Sequence, residues 1–237
     1  MARTPIWKSI ATTLTDDISS GRYAPSDKLP TEAELASRFG VNRHTVRHAL
    51  KAMAQENLVH ARRGAGVFVA QVPTDYPIGK RVRFHQNLKQ AGRLPGKEIL
   101  HLETRKPDTA EFEALALAAT ENVHVYEGLS LADGNPIAVF RSVFPAARFP
   151  NLPKRLSHLR SVTAALAEYG VADYTRASTR LTARRATAIQ ALHLRLSESA
   201  PVLRTVGVNI DASGTPIEFG TTWFAAERVT LTLTDED

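Results

Sequence analysis

Asn42, Arg43, His44, Thr45, Arg47 and His48 place six hydrogen-bonding or charged side chains within seven positions. On a helix, Arg43 and Arg47 are four apart and share a face. An arginine fork pairs with guanine edges or with phosphate, while Asn, Thr and His make shorter contacts. The free amides at such a helix's start favour a phosphate. The chemistry on offer is recognition of a polyanion, with no bond made or broken. A solvated polar face on a small helical domain would use the same residue types. The elements around the cluster decide between these readings.

Those elements are well marked. Leu29-Pro30 makes an extended entry. Thr31 is placed as an N-cap, and Glu34 three residues on completes a capping box. Leu35 and Phe39 lie one turn apart, and Gly40 suits a helix C-terminus at positive φ. Val41 fills a turn. Asn42 caps a second helix, in which Val46, Ala49, Leu50 and Met53 recur at helical spacing. Two amphipathic helices around Phe39-Gly40-Val41 form a helix-turn-helix pattern. Two apolar strand segments follow, from Leu58 to Arg63 and from Val67 to Ala70, across Gly64-Ala65-Gly66. This is a hairpin with Arg62 and Arg63 at its tip, suited to phosphate backbone or a narrow minor groove. Helix pair, turn and hairpin together favour the DNA-reading interpretation. Thr31, Asn42, Arg43, His44, Thr45, Arg47, Arg62, Arg63, Gly64 and Gly66 are the candidate DNA-binding residues, with Lys28 placed to touch phosphate.

Composition bounds the rest. The 237 residues suit two modest domains, each able to bury a core. Lys and Arg total 30 against 24 Asp and Glu, a formal charge of +6 that fits a polyanionic partner. There is no Cys, so disulfides and thiolate metal sites are excluded. No apolar run approaches the ~20 residues of a membrane span, and the first residues lack a signal-peptide core. The expectation is a cytoplasmic protein with no membrane partner, no metal and no cofactor. The eight histidines are scattered, with no HExxH spacing, and there is no Gly-x-Ser-x-Gly elbow or phosphate loop. No enzyme is expected.

Trp7, Ile10, Ala11, Leu14 and Ile18 form one stripe of an amphipathic helix ending near Gly21. It should complete a three-helix core under the reader. The expected domains are 1–70, a Pro- and Gly-containing linker at 71–82, and a second domain at 83–237. In that domain the pattern predicts a short strand at 99–103, a helix at 108–119 and a hairpin turning at Asp133-Gly134. Helical pieces follow at 152–159 and 162–169, then a strand at 174–183 and a helix at 187–194. A last hairpin turns at 212–215 before a final strand. This is an α+β fold with an antiparallel sheet. No internal sequence repeat is visible, although the two hairpins have similar shape.

Arg176, Ser178, Arg180, Thr182 and Arg184 alternate along one predicted strand. With period two they share a face, which either grips an oxyanion or is a solvated outer surface. Both readings stand. Arg83, Phe84, His85 and Asn87 sit where a helix could begin and hold an anion, or simply form its polar start. Arg141 and Glu127 form either a structural ion pair or pocket groups. Ser161 is either a helix cap or a pocket group, and Glu218 could grip a ligand amine or hydroxyl.

The motif LPTEAELASRFGVNRHTVRHAL…LVHARRGAGVFV resembles the N-terminal winged helix of GntR-family bacterial repressors. Many of those carry Arg where this chain has Ala33, so a base contact made there is absent. The second domain resembles the effector domain of the HutC branch, a sheet like that of chorismate lyase. DYPIGKRVRFHQNL, VNRHTVRHA and RASTRLTARRA are similar, more narrowly, to the PhnF-type regulators of phosphonate utilisation. The resemblance implies a homodimer on palindromic operator DNA, released by a small anionic effector bearing phosphonate or phosphate. It implies that the segment Arg83–Asn87 with Ser161, Arg180 and Glu218 lines the effector pocket, to which Arg141 is added as a candidate. Many HutC-type relatives carry Arg-x-Arg where this chain has Gly128-Leu129-Ser130, which favours an anion other than a sugar phosphate.

Overall fold

A computed structural model describes residues 5–25, 27–56, 58–62, 64–70, 73–81 and 83–233. The chain divides into two compact units, Met1–Val72 and Pro73–Asp237.

The first unit holds α1 (Ile6–Ser19), α2 (Glu32–Phe39), α3 (Arg43–Gln55), β1 (Val59–Arg62) and β2 (Gly66–Val69). The α1 stripe buries Ile10 and Leu14 and lays Trp7, Ala11 and Ile18 against the same core. Leu35, Val46, Ala49, Leu50 and Met53 close that core from α2 and α3. The Thr31 hydroxyl accepts the Glu34 amide, and the Glu34 carboxylate accepts the Thr31 amide at 2.7 Å. Gly40 ends α2 at φ +64°, a left-handed conformation that costs glycine nothing. Arg38 pairs with Asp17 at 2.7 Å and ties α2 to α1. β1 and β2 pair antiparallel, with Arg62 opposite Gly66. The entry segment lies along the hairpin's other edge, through Leu29 N–H to Val67 O and Val69 N–H to Asp27 O. The winged helix-turn-helix pattern is therefore the fold of this unit.

The second unit begins with β3 (Thr74–Pro77) and α4 (Phe84–Gln90). The stretch expected as linker, 71–82, thus contains a strand. Thr74 and Tyr76 point inward, and β3 pairs in parallel with the last strand, β10 (Val229–Thr232). Two prolines masked a short strand whose partner lies about 150 residues away in sequence.

The main sheet has six strands: β4 (Pro95–Arg105), β5 (Val123–Ala132), β6 (Asn135–Pro145), β7 (Tyr174–Arg185), β8 (Pro201–Asp211) and β9 (Pro216–Ala225). Their order is β4-β5-β6-β9-β8-β7, antiparallel throughout. α5 (Thr109–Ala114) follows β4, and α8 (Ala188–Leu194) follows β7; each opens on a capping box. α6 (Leu152–Leu159) and α7 (Val162–Ala167) connect the halves. The sheet is therefore two similar strand-helix-strand-strand units joined at β6 and β9. Register shifts fall at matching places, after Ser130 and Asn209 and around residues 100 and 177. Two elements differ in length from expectation. β4 spans Pro95–Arg105 rather than 99–103. α5 stops at Ala114 rather than 119, because Ala116 takes φ +49° and Leu115 and Leu117 turn into the core against Val123 and Val143. No helix among the described residues is long and apolar enough to cross a membrane.

Candidate nucleic-acid interface and ligand cavity

Capping decides what the start of α3 can offer. The Asn42 side-chain oxygen accepts the Thr45 amide at 2.9 Å and the Thr45 hydroxyl at 3.0 Å. Thr31 is similarly engaged with Glu34, so Thr31 and Asn42 build the helix starts first and reach a partner second. Arg43 and His44 are exposed and carry no ion pair among the described residues. Arg47 is held by Glu32 on α2, with Nε to Oε1 at 2.9 Å and Nη2 to Oε2 at 2.6 Å. That pairing holds the Glu32 carboxyl below its ordinary range. It uses one edge of the guanidinium; the Nη1/Nη2 edge still points a fork outward, where guanine can take it. His48 stacks on Trp7 at 4.4 Å and belongs to the α1–α3 packing.

In the wing turn, Gly64 and Gly66 take φ +73° and +117°. A Cβ on Gly66 would lie 2.7 Å from Lys28 Cε, so Gly66 lets the Lys28 side chain cross the hairpin. Arg63 and the Arg62 side chain lie outside the described residues.

The second unit contains a cavity of about 110 Å³. Of the expected pocket residues, Phe84, His85, Ser161 and Glu218 line it. Arg83, Asn87, Arg141 and Arg180 do not. Arg83 lies behind the wall: its Nη2 donates to Asp173 at 2.8 Å and to Tyr174 O at 3.0 Å, and its guanidinium stacks 3.7 Å from the Tyr174 ring. Asn87 is buried, donating to Pro77 O at 3.1 Å, and so anchors α4 to β3. Arg141 neighbours cavity-facing Ser142 and so points to the other face, where it pairs with Glu127 at 2.5 Å. Arg180 stands opposite Val206 and is exposed. A register shift between Arg176 and Ser178 breaks the period-two row, and one extra residue flips the alternation. Arg176 and Thr179 face the cavity, while Ser178, Arg180, Thr182 and Arg184 do not.

Two cations define the cavity: Lys97, which no sequence motif singles out, and Arg176, the one arginine of the β7 row that lines it. Lys97 sits on β4 with its ammonium 3.7 Å from the Phe140 ring centre, 4.5 Å from that of Phe84 and 3.3 Å from the Ser130 hydroxyl. Burial pushes it down to about 7. Its strand position is invisible when β4 is read as starting at Ile99. Arg176 crosses the sheet over Gly207: a Cβ there would lie 2.1 Å from its Nη1. Its Nε is buried without a hydrogen-bond partner. Facing them, Glu218 is 8% exposed and accepts from Ser142 Oγ at 2.5 Å and Asn209 Nδ2 at 2.6 Å. Burial lowers His85, so its imidazole is neutral at pH 7. Ser130 and Asn209, each just before a register shift, line the cavity from the two halves of the sheet. The arrangement can bind a small anion. Among the described residues no group of three His, Cys, Asp or Glu could hold a metal ion.

Arg43→Ala should weaken binding of cognate duplex DNA by about 1–3 kcal/mol at fixed salt, measured by fluorescence anisotropy. Unchanged affinity removes Arg43 from the reading face. Gly207→Ala should lower stability by about 1–3 kcal/mol in thermal unfolding, because its Cβ meets Ser178 O as well as Arg176. An unchanged midpoint shows that the sheet absorbs the methyl.

The model of the "Bacterial regulatory proteins, gntR family" matches residues 7–69, and that of the "UTRA domain" matches residues 90–230. The chain is 40% identical to an uncharacterized HTH-type transcriptional regulator of Rhizobium meliloti, over 95% of this chain and 93% of that protein. It is 31% identical to the probable transcriptional regulator PhnF of Escherichia coli, over 96% and 94%. The crystal structure of PhnF from Mycobacterium smegmatis shares the fold, with a TM-score of 0.67 at 24% identity over 95% of this chain and 98% of that one. These relatives are regulators rather than enzymes. A DNA-reading winged helix on α1–α3 and a sheet domain with an anion-suited cavity are the two halves of one kind of protein, and the chain belongs to the GntR family of transcriptional regulators, with a UTRA domain as its ligand-binding part.

Proposed function

We propose that this regulator binds palindromic operator DNA as a dimer and represses genes for uptake or breakdown of a phosphonate or phosphate ester. A small anionic effector in the UTRA cavity releases it. The observation that carries this reading is the cavity itself: Lys97 and Arg176 face one shared space among Ser and Thr hydroxyls. Cations and hydroxyls are the groups that replace water around a phosphoryl oxygen. The resemblance to PhnF-type regulators points to the same chemistry.

The cavity wall also supports a route to the DNA-reading unit. Tyr76 and Ile78 line the cavity from the segment that follows that unit. The same segment is clasped to β7. Arg176 N–H donates to Lys80 O at 2.7 Å, and Asp173 receives both Arg81 and Arg83 at 2.8 Å. A ligand that pulls on Arg176 or Tyr174 therefore pulls on residues 76–81 and on Arg83. Differential contacts of this kind couple effector to operator affinity.

The first test is thermal unfolding with phosphate, methylphosphonate, 2-aminoethylphosphonate, a sugar phosphate and chorismate. A specific ligand raises the midpoint by an amount that grows with its concentration. It should then release operator DNA. No shift with any compound leaves a constitutive DNA-binding protein or an effector of other chemistry.

pH gives a second check. An anion beside Lys97 raises its ammonium above its free-state value of about 7. Binding then takes up a proton, so the Lys97 contribution to affinity is fullest below pH 7 and falls as pH rises. A phosphoryl ligand's own second ionisation, near pH 6 for a phosphate ester and higher for an alkylphosphonate, strengthens binding as pH rises and so cannot produce a fall. The decline between about pH 8 and 9.5 therefore reports Lys97, and Lys97→Arg should flatten it. A slope unchanged by that variant removes Lys97 from the site.

For the clasp, Asp173→Asn should keep the effector's thermal shift yet reduce effector-driven loss of operator affinity severalfold. Unaltered release rules out this route.

A further inference from the structure

We infer that the effector is a zwitterion, with a phosphonate or phosphate group and an ammonium a few bonds away. This rests on the anionic-effector reading above and goes past it. The cavity does not contain cations alone. Glu218 sits in the same lining as Lys97 and Arg176, 8% exposed. Among the described residues no cation lies within ion-pairing distance of Glu218, and neither Lys97 nor Arg176 has an ion pair. The charges stand apart around one space, with Glu218 on β9 between the edge strands that carry Lys97 and Arg176; Glu218 attracts the Lys97 ammonium across that space but forms no finished salt bridge with it. A buried carboxylate without a cation is costly, and so is a buried ammonium.

A one-headed anion would satisfy Lys97 and Arg176 but would lie beside the Glu218 charge and compete with it for the Lys97 ammonium. A zwitterion completes both poles. Ser142 and Asn209 occupy one lone-pair site on each Glu218 oxygen. A carboxylate has about four such sites, so each oxygen still accepts a hydrogen bond. Those two donors fix the carboxylate's direction before a ligand arrives. Tyr76, Tyr174 and Phe224 line the same cavity, and aromatic faces favour an ammonium. For the anionic group, the unpartnered Arg176 Nε and the Lys97 ammonium offer donors from the two edge strands. Lys97, Arg176 and Glu218 sum to one positive charge. An aminoalkylphosphonate, with two negative charges and one positive, cancels it.

The test uses the full chain and isothermal titration with 2-aminoethylphosphonate, 2-hydroxyethylphosphonate and n-propylphosphonate, which differ only in the terminal group. The amine should bind at least about tenfold more tightly than the propyl compound, as when a site built for a polar group meets an analogue lacking it. The hydroxyl compound should bind more weakly than the amine. In Glu218→Gln the preference for the amine should vanish and propylphosphonate should bind at least as tightly as it does to the natural protein, which also shows that the variant folds. Equal binding of all three by the natural protein overturns the zwitterion, and that comparison needs no variant. Binding of the alcohol as tight as the amine overturns the ammonium pole. A preference that survives in Glu218→Gln overturns the role of Glu218. Binding of none of the three, nor of phosphate, overturns the anionic-effector reading and this inference with it.

Discussion

A carboxylate in the middle of a sheet is a constraint that the surrounding structure must meet. Glu218 on β9 is gripped by Ser142 from β6 on one side and Asn209 from β8 on the other. Three adjacent strands must hold register for both bonds to form. That register also sets which residues face the cavity: Phe140 and Ser142 on β6, Thr205 and Asn209 on β8, Thr222 and Phe224 on β9. Buried charge that is hydrogen-bonded but not neutralised marks a place built for something to arrive.

The edges of the sheet add the opposite charge. β4 brings Lys97 and β7 brings Arg176, the outermost strands on either side. Gly207 clears the floor under Arg176, and the Phe140 and Phe84 rings hold Lys97 from its sides. Because Asp173 immediately precedes β7 and Arg176, the hydrogen-bond partner of Lys80, lies near its start, the cavity, residues 76–81 and Arg83 share one mechanical neighbourhood. Closed packing of this kind does not bend gradually; a shift on one side is passed on.

The DNA-reading unit works by simpler means. The starts of α2 and α3 are fixed by side-chain caps, its core by one stripe per helix, and its wing by two glycines. Glu32 is the one charged residue of α2 that reaches α3, and it presents Arg47 edge-on. The exposed pair adds little stability; its effect is on where the fork points.

The amino-acid sequence by itself determined the first unit almost completely. The Thr31–Glu34 capping box, the Asn42 cap, Gly40 and the 3.6-residue stripes act over a few positions, and local rules read local interactions. It also determined the presence of an antiparallel sheet and the hairpin at Asp133-Gly134. Four of the expected pocket residues, Phe84, His85, Ser161 and Glu218, do line the cavity. Tertiary structure alone decided the remainder. One extra residue at Ala177 reversed the alternation, turning Arg176 inward and Arg180 outward, and no spacing rule announces a bulge. Lys97 became a pocket cation only because β4 extends to Pro95 and pairs Lys97 with Ser130. β3 became a strand only because β10 lies beside it. Charges far apart in the chain meet at a site through strand pairing, and pairing register is a property of the whole sheet, not of any one segment.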